Sequence, residues 1–117
     1  MGVDELVEVV SDALADVKGQ EVRVLDVRGQ TSITDYMIIA SGTSERHLKS
    51  LAERVVERAR ELGVKPSGME GGSGDGWILV DLLDVVVHLM RPSIRDFYGL
   101  ERLWGPDQVQ DPGLRGG

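Results

Sequence analysis

A chain of 117 residues is the length of one ordinary domain with a single hydrophobic core. Its 20 acidic and 13 basic residues give a formal charge of −7, which disfavours direct nucleic-acid binding, because such binding gains its affinity from phosphate neutralisation. The absence of cysteine excludes disulfides, thiolate chemistry and cysteine metal sites. The acidic N-terminus is unlike a signal peptide and no apolar run reaches the roughly 18 residues of a membrane span, which predicts a soluble, cytoplasmic protein without a membrane partner.

The N-terminal segment predicts a helix followed by a strand. Apolar residues recur at spacings of three and four between Asp4 and Lys18, with Asp4 able to cap the helix and Gly19 placed to end it. The next segment, 21–27, is short and rich in β-branched residues, which indicates a strand.

The clearest prediction is a second strand followed by a second helix. The continuous apolar run 36–40 is typical of a strand buried on both faces, which needs helices above and below it. Apolar residues then repeat at helical spacing over 48–62, with charged residues on the opposite side. Ser44 is a suitable N-cap, and Gly63 suits the left-handed position after the last turn.

The rest of the chain predicts two further strands and little other regular structure. The glycine-rich segment 64–76 is interpreted as a flexible connection. Two strands are expected at about 77–82 and 84–90, and then one or two short helical turns within 93–104. Residues 105–117 have little apolar content and are expected to form a disordered tail.

Two loops superficially suggest phosphate binding. The small-residue turn 41–47 precedes a helix, but it lacks the lysine and glycine spacing of a phosphate loop, so capping is favoured and His47 is expected to assist it. The segment 71–76 has the glycines of a dinucleotide loop but opens a strand instead of a helix, which favours a mobile hairpin loop.

Acidic residues and a histidine near the last two strands suggest a metal site: Glu70, Asp75, Asp81, Asp84 and His88. Asp84 and His88 would lie about 13 Å apart along one strand, too far to bind one ion readily. Aspartate at a hairpin turn is also ordinary, because its carboxylate can accept from the backbone two residues on. His88 is interpreted as a half-buried, hydrogen-bonded strand residue, and no metal, cofactor or catalytic group is expected.

Large apolar side chains concentrate near the end of the domain. Four of the five aromatic residues lie there: Trp77, Phe97, Tyr98 and Trp104. Such rings are often core residues. Beside a turn that also carries Leu82 and Leu83, they equally suit the anchors of a binding surface, and the residues alone leave both interpretations open.

Three blocks in this order resemble the Iojap family of ribosomal silencing factors: TSITDYMIIASGTSERHLKSLAERVVE, GWILVDLLDVVVHLMRP and RDFYGLERLW. The resemblance covers about residues 4–104 and places the domain at 1–104. It implies a single α/β domain with a mixed, about five-stranded sheet flanked by helices. The implied architecture is similar to that of nucleotidyltransferases without their catalytic set.

The resemblance also implies a function. Members of this family are translational repressors that bind the large ribosomal subunit through large-subunit ribosomal protein fourteen and sterically block the small subunit, lowering translation when nutrients are limiting. No enzymatic reaction is implied. The family's partner-contacting positions fall on Trp77, Leu82 and Tyr98, and a homodimer is also implied.

Charge and turn chemistry extend this list of candidates. Asp75, Asp81 and Asp84 are candidate partners for lysine or arginine of a basic ribosomal protein, since an acidic surface suits a basic partner. Many family members have glycine where this chain has Leu83. Leucine disfavours positive φ by roughly 1 kcal/mol or more, so the turn type is open and Leu83 becomes a further candidate for the docking tip.

Two rival functions and one mode of assembly are also considered. The first rival is a nucleotidyltransferase-like enzyme that uses Asp81, Asp84 and the turn 41–44. The second is an assembly factor that escorts immature large subunits without blocking translation. Self-association is expected through the outer face or edge of the two aliphatic strands near the C-terminus.

Overall fold

Three helices and five strands follow one another along residues 2–99, the part of the chain that this computed structural model describes. The side chains of Phe97 and Tyr98 lie outside the described part, as do Trp104 and the predicted tail 105–117. The elements are α1 (Val3–Asp16), β1 (Gln20–Asp26), β2 (Tyr36–Ser41), α2 (Glu45–Glu61), β3 (Gly68–Gly71), β4 (Trp77–Asp81), β5 (Val85–Met90) and α3 (Pro92–Tyr98).

The five strands form one mixed sheet in the order β1-β2-β5-β4-β3. Only β2 and β5 are parallel, with Tyr36 opposite Val85 and Ser41 opposite Met90, and the other three neighbouring pairs are antiparallel. The predicted fold class, a mixed sheet of about five strands flanked by helices, is confirmed. The prediction that β2 is buried on both faces is also confirmed, since every residue after Tyr36 in this strand is buried.

The main core lies between one face of the sheet and the two long helices. Both helices present an aliphatic stripe, because their apolar residues recur three and four positions apart. The buried helical residues are Leu6, Val10, Ala13 and Leu14 from α1 and Leu48, Leu51, Ala52, Val55 and Ala59 from α2. They pack on one side of the sheet, against Ile38, Ala40, Val80, Val85, Val87 and Leu89 among others.

The opposite side of the sheet, called here the outer face, has a smaller core. It consists of Leu25, Val27, Met37 and Ile39. The two long helices therefore share one face of β2 and do not enclose it from both sides as expected. On the outer face, α3 reaches the end of β2, where Arg95 Nη1 donates to Ser41 Oγ at 2.9 Å.

The ends of α1 differ from the prediction. Gly2 is the N-cap, and Asp4 lies in the first turn, where its carboxylate is favoured by the positive end of the helix dipole. At the other end Lys18 has the left-handed φ of 62°, and the Gly19 N–H donates to the Leu14 carbonyl at 2.8 Å. Gly19 allows close packing at this end of the helix, because a Cβ there would lie 3.1 Å from the Leu14 carbonyl oxygen and 3.2 Å from a methyl group of Leu51.

Both predicted ends of α2 are confirmed. Ser44 Oγ accepts from the His47 backbone N–H at 3.1 Å, which satisfies one of the unpaired donors of the first turn. After the last turn, Gly63 has a φ of 83°, and its N–H donates to the Arg60 carbonyl at 2.8 Å.

The segment predicted as a flexible connection contains β3, so this interpretation was wrong for four residues. β3 pairs antiparallel with β4, with Gly68 opposite Asp81 and Gly71 opposite Ile78. All four residues of β3 are exposed at the sheet edge, which explains why they carry no apolar alternation. Gly71 has a φ of 92° and no room for a side chain, because a Cβ there would collide with the Trp77 carbonyl oxygen.

The two strands predicted near the C-terminus are confirmed as β4 and β5. They are joined by a three-residue turn, residues 82–84, instead of the single residue that the predicted boundaries implied. No helix within residues 2–99 is long and apolar enough to cross a membrane.

Candidate partner-binding site

The outer face of β4 and β5 presents a mixed row of apolar and polar side chains. Successive side chains of a strand point to opposite faces, and Ile78 and Val80 belong to the main core under the helices. Trp77, Leu79 and Asp81 therefore project from the outer face. Their cross-strand register brings them beside the outward residues of β5, since Leu79 lies opposite His88.

An apolar groove runs along this outer face. It encloses about 300 Å³ and is lined by Leu79 and Val86 of the sheet and by Ile33 of the loop before β2. Ile33 is 83% exposed, a large value for an aliphatic side chain. Glu70 and Asp81 also line this groove, so a mainly apolar surface carries two carboxylates.

Trp77 is held above the outer face by His88. The indole Nε1–H donates to His88 Nδ1 at 3.1 Å, and the two ring centroids are 5.7 Å apart with an interplanar angle of 50°. Trp77 lies opposite Met90 and His88 opposite Leu79, so the two rings are diagonal neighbours on adjacent strands, within reach for aromatic side chains. The interpretation of His88 as a hydrogen-bonded strand residue is confirmed, but its side chain is buried and not half-buried as expected.

Burial sets the protonation state of His88. The side chain is 7% exposed, and desolvation lowers the pKa of its imidazole to about 4 from the usual 6.5. His88 is therefore neutral near pH 7. Because Nδ1 accepts from the indole, the proton of the neutral ring is on Nε2.

The turn between β4 and β5 exposes a different leucine from the one expected. Leu82 is only 3% exposed and belongs to the main core, so the expectation that it lies free at the tip was wrong. Leu83 is 63% exposed and has a φ of 73°. This left-handed conformation turns the chain so that Leu82 points inward and Leu83 outward.

Hydrogen bonds define the turn type that the sequence left open. The Asp84 N–H donates to the Leu82 carbonyl at 3.0 Å, which makes Leu83 the central residue of a γ-turn with positive φ, an uncommon and strained arrangement. The Leu83 N–H donates to Asp81 Oδ1 at 2.8 Å. The predicted role of Asp81, bonding the backbone two residues on, is confirmed.

Two more candidates carry exposed carboxylates. Asp84 is exposed beside the tip, and its backbone carbonyl accepts from the N–H groups of Asp35 and Tyr36, both at 3.1 Å. Asp75 is exposed in the glycine turn that precedes Trp77. Tyr98 is the last residue of α3, and its side chain lies outside the described part of the chain.

The residues of the rival enzymatic interpretation are not brought together. Asp81 and Asp84 lie at the end of the sheet where β5 begins, whereas the turn 41–44 follows β2 at the opposite end. Six strand residues, or about 20 Å, separate the two ends. In residues 2–99, no group of three or more acidic or histidine side chains is arranged to hold a metal ion.

His47 serves the turn 41–47 as a structural group. Its Nδ1 accepts from the Thr43 backbone N–H at 2.9 Å, and its Nε2 lies 2.7 Å from the Val17 carbonyl at the end of α1. Since Nδ1 accepts, Nε2 carries the proton and donates to Val17. His47 thus ties the start of α2 to the end of α1, and the capping interpretation of this turn is confirmed.

Four residues of the candidate site were missed from the sequence. Leu79 and Val86 could have been found by strict alternation, because Leu79 shares a strand face with Trp77. Glu70 was considered only as a metal ligand, since its place opposite Leu79 depends on the unpredicted β3. Ile33 had one signal, an isolated aliphatic residue in the polar loop TSITD.

The fold and the outer face define a small α/β protein with an exposed apolar surface bordered by carboxylates. A statistical model of the family described as "Ribosomal silencing factor during starvation" matches residues 2–115. A Chromobacterium violaceum protein named "Ribosomal silencing factor RsfS" is 43% identical over 105 residues, which cover 90% of this chain and 86% of that protein. The chain therefore belongs to the family of ribosomal silencing factors, and the resemblance found in the sequence is confirmed.

A solved structure and a more distant relative agree with this assignment. The crystal structure of a protein from Chromobacterium violaceum matches with a TM-score of 0.87 at 41% identity, covering 96% of this chain and 91% of that one. A Mus musculus protein named "Mitochondrial assembly of ribosomal large subunit protein 1" is 33% identical over 101 residues, which cover 84% of this chain and 44% of that protein.

Proposed function

We propose that this protein represses translation by binding the large ribosomal subunit through large-subunit ribosomal protein fourteen and sterically blocking the small subunit, in the cytoplasm and under nutrient limitation. The observation that carries the proposal is the apolar groove of the outer face with its two carboxylates. Membership of the silencing-factor family supports the repressor role. The name of the mouse relative, which refers to assembly of the large subunit, supports the choice of subunit.

The chemistry of the outer face suits a basic protein partner. Trp77 offers apolar area on the outer face, Ile33 offers it at the groove, and Glu70 and Asp81 of the groove offer carboxylates to lysine or arginine. Such charges accelerate the encounter with a basic surface and suppress wrong partners. The net charge of −7 also disfavours binding to ribosomal RNA, so the contact is assigned to a ribosomal protein.

The tip of the β4–β5 turn adds a second apolar contact. Leu83 projects into solvent there and takes over from Leu82 as the proposed apolar contact. Leu82 is buried and instead fixes the turn to the core. Asp84 and Asp75 remain proposed charge partners, because both carboxylates are exposed. Tyr98 remains a proposed contact on the basis of the family resemblance alone.

A few anchors of this kind are sufficient for specific binding. Micromolar to nanomolar affinity corresponds to about 8 to 12 kcal/mol, and a small number of aromatic and aliphatic residues commonly dominates such an interface. Trp77 combines a large ring with a fixed orientation, so its removal is expected to cost about 2 kcal/mol or more, or roughly 30-fold in affinity.

The binding experiment compares opposite sides of the same sheet. Trp77→Ala and Ile33→Ala should each weaken binding to isolated large-subunit ribosomal protein fourteen. Met69→Ala is the matched control, because Met69 is also an exposed apolar side chain but lies beside Ala52 of α2 on the helical side. Equal affinity of all variants would remove the outer face from the interface.

A subunit-joining assay separates the proposed repressor from an assembly factor. Purified large and small subunits are mixed with the protein, and the fraction of joined ribosomes is measured by sedimentation. A repressor lowers this fraction in proportion to its occupancy, and Trp77→Ala should restore it. Binding to large subunits without any change in joining would favour the assembly role.

Self-association stays a proposal, with a narrower choice of surface. β4 and β5 occupy interior positions of the sheet, so neither has the free edge that the sequence suggested. Their outer face remains available. A dimer formed through this face would compete with the ribosomal partner, and sedimentation velocity with and without that partner should show the dimer dissociating as the complex forms.

A further inference from the structure

His88, the buried histidine of the outer face, accepts a hydrogen bond from Trp77, the proposed anchor. His88 lies on an interior strand, with Leu79 opposite it on one side and Ile39 on the other. Two aliphatic neighbours would pack as well against leucine as against imidazole. Burying an imidazole at this position costs desolvation free energy unless its nitrogens form hydrogen bonds. The hydrogen bond that His88 forms therefore indicates why histidine, and not leucine, suits this position.

That bond fixes the orientation of a large side chain. An exposed or half-buried indole on a strand can occupy several rotamers, and immobilising such a side chain upon binding costs affinity. Trp77 is partly exposed, and its single N–H donates to His88 Nδ1 at 3.1 Å. The ring is therefore already oriented before any partner arrives.

We infer that His88 is a positioning residue for docking: its Nδ1 holds the Trp77 indole in the orientation that meets the ribosomal partner. This inference rests on the proposed function, because it assumes that Trp77 is a contact. His88 itself is too deeply buried to contribute comparable area to an interface. Its effect on affinity must pass through Trp77.

A double-mutant cycle tests this route. His88→Leu removes the acceptor at similar size, and Trp77→Phe removes the N–H that uses it. His88→Leu should weaken binding to isolated large-subunit ribosomal protein fourteen by about fivefold, the cost of one immobilised side chain. In the Trp77→Phe background the same change should have an effect of less than about twofold.

A conservative variant separates positioning from general packing. Asparagine places its side-chain oxygen about where histidine places Nδ1, so His88→Asn should keep binding within about twofold of the unchanged protein. If His88→Leu weakens binding equally in the unchanged protein and in the Trp77→Phe background, His88 acts through the fold and the inference is wrong. It is equally wrong if His88→Leu leaves binding unchanged.

A spectroscopic measurement makes the result independent of the partner. The indole N–H resonance of Trp77 is assigned by its loss in Trp77→Phe. It should move upfield and exchange faster with water in His88→Leu, but not in His88→Asn. Failure of the unchanged protein to bind the ribosomal protein would instead defeat the proposed function, while an unshifted resonance in His88→Leu would defeat the positioning role alone.

Discussion

The two faces of the sheet differ in how completely they are closed. Under α1 and α2 the side chains of β4 and β5 are aliphatic and buried, whereas on the outer face the same two strands have half-buried apolar residues, a histidine and a carboxylate. The strands are shared, so each residue of β4 contributes to one face or to the other. If the outer face binds a partner as proposed, stability and partner recognition depend on alternate residues of the same strands.

The largest expected difference comes from matched truncations on the two faces. Leu89→Ala removes a fully buried side chain under the helices and should cost about 2 to 5 kcal/mol of unfolding free energy. Leu79→Ala, on half-buried Leu79, should cost roughly 1 kcal/mol and should weaken partner binding instead. Urea denaturation and a binding titration on both variants measure the contrast. Similar losses of stability would show that the outer face is part of the core.

His88 makes the stability of the protein depend on pH. Its folded pKa of about 4 lies below the usual 6.5, so the unfolded chain takes up this proton first as pH falls. The buried, neutral His88 therefore costs no stability above about pH 6.5. The unfolding free energy then falls progressively as the pH decreases from 6.5 towards 4. The pKa difference corresponds to about 3 kcal/mol at most.

The measurement compares the unchanged protein with His88→Asn. Between pH 7.5 and 4.5, the unchanged protein should lose about 2 kcal/mol more unfolding free energy than the variant, because asparagine does not titrate. Carboxylates titrate in both proteins and cancel in the comparison. Parallel stability curves would mean that His88 is protonated as easily in the folded state as in the unfolded state.

The histidine of the helical layer is expected to have a smaller effect. His47→Ala removes the bonds to Thr43 and Val17 and should cost about 1 to 2 kcal/mol of unfolding free energy. His47→Gln can keep a donor for Val17 while losing the acceptor for Thr43, so about half of the loss should return. Partner binding should be unchanged in both variants, which distinguishes His47 from His88.

The sequence predicted elements whose signals are local. α2 was predicted well because its apolar period, the Ser44 cap and Gly63 all lie within one segment. β2 was predicted from one continuous apolar run. β3 was not predicted, because Gly68–Gly71 is exposed and has no strand pattern of its own. It is a strand only because it pairs with β4.

The candidate site could be predicted only in part, because its contacts depend on spatial distances that the sequence pattern does not contain. Trp77 and His88 were both singled out, but their hydrogen bond requires the observed register, which the three-residue turn sets. Leu82 and Leu83 were assigned the same exposed role, because adjacent leucines in a turn look alike in sequence. The backbone conformation of Leu83 decides which of them faces the core.

The smallest expected change in stability is at Leu83, and its sign is opposite to the others. A residue other than glycine in the left-handed region lowers the unfolding free energy by roughly 1 to 2 kcal/mol. Glycine removes this strain but makes the unfolded chain more flexible, so only part of the free energy is recovered. Leu83→Gly should therefore raise the unfolding free energy by about 0.5 to 1 kcal/mol. The same variant should weaken partner binding, because it removes an apolar side chain that is 63% exposed.

Leu83→Ala is the control that separates backbone from side chain. Alanine keeps the cost of positive φ, so it should give no gain in stability, but it should weaken binding as much as glycine does. Equal stability of the two variants would show that the γ-turn is unstrained, and unchanged binding in both would remove the tip from the interface. A loss of binding together with a gain in stability in Leu83→Gly would show that Leu83 favours recognition at the cost of stability, as strained backbone positions at functional sites commonly do.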